Sequence, residues 1–240
     1  MAPIDPRLLQ RRPTPLSARF AADAGLDVPL GSDTRPSWRG RVHLIALCVF
    51  APSLVLLITR TDGSRARIGA VVYAVGLCSM FTASVTYHRW VHHLRARAMW
   101  RRADHAMIFA AIAGSATPIA LHVMPGSGGV ALITVVWSVS LVGALCKVAH
   151  SHRGDALGSI FYAAVSVIAA MSVPALWHQE GVRTAMLVVI GGALYIVGAF
   201  WFARNWPRLR PSVFSYHEVW HVFTVVAAAT HFAAVWSINT

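Results

Sequence analysis

The stretch Arg67–Trp90, RIGAVVYAVGLCSMFTASVTYHRW, decides the fold. Between Ile68 and Val85 it carries no charged side chain. About 20 apolar residues in a helix cross a hydrocarbon core roughly 30 Å thick. In lipid the backbone must satisfy its own hydrogen bonds, so such a run reads as a transmembrane helix. It ends oddly, with Ser84 and, four residues on, His88, just before Arg89 closes the run. A histidine there is a boundary anchor, a helix–helix hydrogen bond or a metal ligand, and the rest of the chain has to decide.

Six more runs of this kind follow the same logic, at about 43–60, 104–122, 130–147, 157–177, 185–203 and 216–237. Only 12% of the 240 residues are charged and 56% are hydrophobic, against about one quarter charged in an average globular chain. The fold expected is all-α: a polytopic membrane protein built as a seven-helix bundle over 43–240. Residues 1–42, rich in Pro, Arg, Asp and Ser, read as a largely disordered cytoplasmic tail in which LSARFAADAGL makes one short helix on the membrane. Cys48, Cys78 and Cys146 all lie in apolar runs and read as small core residues.

The net charge of +12 is a topology signal. Placed by link, 17 Lys and Arg fall on the side of the N-terminus and of the links after runs 2, 4 and 6, against 4 on the other side. Positive residues stay cytoplasmic, so the N-terminus is expected inside and the C-terminus outside. The basic links attract anionic lipid; nucleic acid is not an expected partner. In RNWPRLRPS, 204–212, two prolines stop the sixth helix, and Ser215 is placed to cap the seventh.

Ionisable groups inside membrane helices are costly and mark candidate sites. In the last run, SYHEVWHVFTVVAAATHF, His217 and His221 are four apart and share a helix face, with about 6 Å between their Cβ atoms. His88 closes the second run and Asp104 opens the third, both beside the same basic link. All four therefore fall in one layer near the inner face. Three histidines plus a water are a common catalytic zinc set. Ser84 lies one turn from His88. His231, ten residues past His221, is roughly 15 Å further out and reads as a buried hydrogen-bonding group. His105 reads as a packing or headgroup residue. His92, His93, His150, His152 and His178 read as solvated. Blander readings stand beside these: His88 as an interface anchor next to Arg89 and Trp90, and Asp104 as a helix N-terminal charge favoured by the dipole. Glu218 either orients a histidine or pairs with Arg210.

SVTYH, RADHAMIFAAIAGSATP and SYHEVWHVFTVVAAATHF together resemble the signature regions of the hemolysin III branch of the progestin and adipoQ receptor (PAQR) family. That family is related to the adiponectin receptors and the alkaline ceramidases. The resemblance implies zinc held by His88, His217 and His221, with Ser84 and Asp104 beside the ion or its water. It implies a membrane lipid substrate of the ceramide type and a place in the cell membrane, multi-pass, in a bacterium. The chain lacks the long extracellular elements of the animal receptors.

The function expected is a zinc-dependent hydrolase of a lipid amide or ester. Asp104 would take or hold the proton of the attacking water, and Ser84 would orient water or the developing oxyanion. Two other classes stand against it: a non-enzymatic sensor or receptor with a structural zinc, and a lytic, pore-forming protein. A pore needs a continuous polar stripe, and runs 4, 5 and 6 supply only scattered Ser, Thr and Tyr.

Overall fold

The computed structural model describes residues 36–149 and 154–240. The expected tail lies outside the described residues up to 35, and so does the surface helix within it. Seven α-helices follow in order: α1 Arg41–Arg60, α2 Ser64–Val85, α3 Leu94–Val123, α4 Ser127–Ala149, α5 Gly154–Ala170, α6 Val173–Ala203 and α7 Tyr216–Ser237. No strand occurs among the described residues; Arg210 and Phe214 form one isolated bridge. Among the described residues six helices are long and apolar enough to cross a bilayer. The apolar part of the other, Gly158–Ala170, is shorter. The chain is a polytopic helical membrane protein.

Neighbours in sequence are neighbours in space. α1 packs on α2, α2 on α3, α3 on α4, α4 on α5 and α6 on α7, while α7 returns to touch α1. α3 also meets α5, α6 and α7, so it lies at the centre of the bundle. The closest crossing is that of α2 and α3. A Cβ at Gly76 would stand 2.4 Å from the Ala110 carbonyl oxygen, and one at Gly114 3.2 Å from that of Val72. Glycine at these places lets two backbones approach as helices in lipid commonly do. This crossing sets the depth of α2 against α3, and with it the level of Ser84 and His88 against Asp104.

Several elements depart from the apolar runs: α3 already begins at Leu94, so Asp104 lies inside it and not at its start. The fifth run was expected over 157–177, yet α5 stops at Ala170. Ser172 and Pro174 explain the break, because Ser172 precedes a new helix with proline in its first turn, where its missing N–H costs nothing. That helix then passes through Gly181, whose φ of 81° kinks it. α2, too, does not end cleanly but widens into a π-turn over Thr86–Trp90. There the Val91 N–H reaches back five residues to the Thr86 carbonyl, at 3.1 Å. Single π-turns are rare and gather at functional sites, and this one carries His88.

Candidate metal centre

Four helices deliver side chains to one end of the bundle. The last turns of α2 bring Ser84 and the π-turn His88; the third turn of α3 brings Asp104; the start of α7 brings His217 and His221; the first turn of α1 brings His43. The start of α7 is held by a capping box. Ser215 is the N-cap, and its N–H donates to Glu218 Oε2 at 2.8 Å. Such a box satisfies two orphan donors at a helix start. Glu218 is fully buried, and its second oxygen accepts from Arg39 Nε at 2.5 Å. Glu218 thus caps α7 and pairs with Arg39, rather than with Arg210 or a histidine. The segment before α1 is stitched on as well: Ser37 N–H donates to Ser212 O and Trp38 N–H to Val213 O, each at 3.1 Å.

On that frame His88, His217 and His221 come together. One ring nitrogen from each lies within 4.8 Å of the other two. The rings meet at steep angles: His88 and His217 at 80°, His88 and His221 at 60°, His217 and His221 at 64°, with centroids 4.7, 5.1 and 4.7 Å apart. His88 and His221 are buried and His217 is half-buried. His88 Nε2 and His217 Nε2 stand 3.2 Å apart. In a tetrahedral zinc set with bonds of about 2.0–2.1 Å, two nitrogens are roughly 3.3 Å apart. The Nδ1 of His221 is buried with no hydrogen-bond partner, and an orphan of that kind in a polar cluster calls for an explanation. Spacing, ring angles and donor chemistry therefore fit a divalent transition metal. Imidazole donors suit zinc, copper, iron and nickel alike, so the donor set alone does not select zinc.

Asp104 flanks the triad. Its Oδ2 is 3.7 Å from His88 Nε2, yet among the described residues only the three imidazoles form the mutually close group. The Ser84 side chain lies beside Asp104 and 2.7 Å from His43 Nδ1. The structure thus brings all five residues singled out from the sequence to one place.

The remaining histidines separate from this layer. His231 Nε2 donates to the Val188 carbonyl at 3.1 Å, pinning α7 to α6. His122 faces Glu180 at 2.7 Å, half-exposed. At His105 the carbonyl accepts from the Tyr162 hydroxyl at 2.6 Å. His92, His93 and His178 are exposed; His150 and His152 lie outside the described residues. His43 was passed over in the sequence reading, although the signal was present: an ionisable residue at the start of the first run, on the same basic side as His88, Asp104 and His217. Arg39 and Thr224 were missed too, and no local motif marks either.

A helical bundle of this kind, with a buried imidazole cluster at its basic end, defines a class of multi-pass membrane proteins with a potential metal centre. The comparisons make the class specific. The Haemolysin-III related family matches residues 32–232, and the chain belongs to it, in the hemolysin III branch of the PAQR family. It is similar to "Hemolysin-3" of Bacillus cereus, 26% identical over 196 residues, covering 80% of this chain and 86% of the relative. "Monocyte to macrophage differentiation factor" of Homo sapiens is 25% identical over 195 residues, covering 78% and 79%. "Heptahelical transmembrane protein ADIPOR2" of Oryza sativa subsp. japonica is 28% identical over 182 residues, covering 69% and 79%. The bacterial relatives fit the plasma membrane as its location.

Proposed function

We propose that this protein is a zinc-dependent hydrolase of a lipid amide or ester. The observation that carries the reading is the convergence of His88, His217 and His221 with Asp104 beside them and outside the ligand group. Structural zinc sites are closed by four protein ligands, whereas catalytic ones keep a position open. A carboxylate next to an open position suits proton transfer better than closure, which favours the enzyme over the sensor.

Zinc, when bound, supplies Lewis acidity that lowers the pKa of water from about 15.7 to about 7 and polarises a carbonyl. The three imidazoles hold it and fix its position. Asp104 accepts the proton released as water attacks the carbonyl carbon, and returns it to the departing amine or alkoxide. The Ser84 hydroxyl beside Asp104 orients the attacking water or, as the oxyanion develops, turns its single proton toward it. The basic links at the same end favour the cytoplasmic face as the side of the centre. There a lipid's amide or ester reaches it from the inner leaflet, with its chains still among lipid chains.

The test is purification in detergent and metal analysis, followed by incubation of the zinc-loaded protein with a mixed lipid extract. One zinc per chain, and fatty acid released in proportion to protein and abolished by a chelator, is the expected result. A chain that carries zinc yet releases nothing from ceramides, phospholipids or acylglycerols would leave the sensor reading in its place.

A further inference from the structure

One buried imidazole outside the triad touches both halves of the centre. His43, 3% exposed, lays its ring flat on that of His221, with centroids 3.9 Å and planes 9° apart. Its Nδ1 is 2.7 Å from Ser84 Oγ and its Nε2 is 3.3 Å from Thr224 Oγ1. Phe81 closes its edge at 5.2 Å. Both nitrogens are engaged by hydroxyls, and His43 is not one of the grouped imidazoles. Metal-bound histidines are usually oriented by a hydrogen bond on their second nitrogen. At His221 the ring is held by the flat face of His43.

The geometry points to His43 as a positioning residue of the metal centre. By stacking it holds the His221 ring in its ligating orientation. Through Nδ1 it fixes the Ser84 hydroxyl, which lies beside Asp104. One side chain of α1 thereby couples a ligand on α7 to the carboxylate on α3, and ties the first helix to a centre whose ligands come from α2 and α7. This inference rests on the metal reading of the triad.

The experiment measures zinc affinity by chelator competition, and the visible spectrum of the cobalt(II)-substituted protein. It compares wild type with His43→Ala, His43→Phe, His43→Asn and Ser84→Ala. Loss of an outer partner of a metal ligand typically costs about 10–100-fold in affinity. His43→Ala is expected to weaken zinc by that factor while one ion per chain still binds at saturation, and to shift the cobalt bands. His43→Phe keeps a ring on His221 and recovers most of the affinity. His43→Asn keeps a polar partner for Ser84 and recovers less. Should the alanine variant fail to fold, the phenylalanine and asparagine variants decide, because their order separates stacking from hydrogen bonding. A histidine that merely filled space would lower the melting temperature of the zinc-free protein and leave zinc affinity and cobalt bands at wild-type values; that result overturns the inference. Failure of the metal reading shows elsewhere: His88→Ala and His217→Ala proteins that hold zinc as wild type does would remove the centre and this inference with it.

Discussion

The two ends of the bundle use the same residue types to opposite effect. At the end of α2 and the start of α7, three imidazoles face each other with a carboxylate oxygen 3.7 Å from one of them. At the far end, His122 of α3 meets Glu180 of α6 at 2.7 Å, each about one third exposed. There Arg65 also reaches the Met124 carbonyl at 3.3 Å and Gln179 that of Val123 at 2.7 Å. Those bonds stitch loops together in a region open to water. At the basic end the histidines are buried, and one ring nitrogen has no protein partner. A hydrogen-bonded pair in water needs nothing further, whereas desolvated lone pairs without donors ask for a cation. Burial combined with incomplete pairing, not the presence of histidine, separates a centre from a clasp.

The contrast breaks most sharply on metal content. Replacing His88, His217 or His221 by Ala removes one of three ligands from a buried site, and zinc per chain is expected to fall from near one to near zero. His122→Ala, at the far end, leaves the ratio unchanged. Equal ratios across all four proteins, measured by atomic spectroscopy on chains exchanged into metal-free detergent buffer, would erase the distinction between the ends.

Next in size is the carboxylate. Asp104→Asn keeps the shape but cannot take a proton. General acid–base groups contribute about 100- to 10,000-fold, and lipid hydrolysis should drop within that range with zinc retained. Glu180→Gln, its counterpart in the clasp, should hydrolyse at the wild-type rate. A zinc-free Asp104→Asn protein would make Asp104 a ligand and the site a closed one.

Much of this was legible in the sequence, and what was not has a physical reason. Apolar run length gave the helices, because lipid allows few other solutions. The layer of His88, Asp104, His217 and His221 followed from charge placement and position along each run. The break at Ser172–Pro174 was hidden because both neighbours are apolar, so the run 157–177 looked continuous. The π-turn at His88 has no composition signature at all. Arg39 could not be matched to Glu218, 179 residues away, since pairing across a bundle depends on which helix closes the ring. His43 was readable by the rule that applied to the other four, and only its place at the very start of a run concealed it.

The smallest expected effects are on stability, and they compare the two ion pairs directly. Glu218 is fully buried, and Arg39 is mostly so. Removing one partner of a buried pair leaves an uncompensated charge and typically costs about 3–5 kcal/mol. Arg39→Ala should therefore lower the thermal midpoint strongly, with loosening concentrated at the start of α7, whose N-cap N–H shares the same carboxylate. His122→Ala removes a pair that water already screens, worth about 0–1 kcal/mol, and its midpoint should stay near that of wild type. Adding Glu218→Gln to Arg39→Ala removes the stranded charge while keeping an acceptor for the cap, and should recover a substantial part of the loss. If the double variant is no more stable than Arg39→Ala in the same detergent, the pair contributes through the packing of the Arg39 stem against the end of the bundle, and the two ends differ in burial alone.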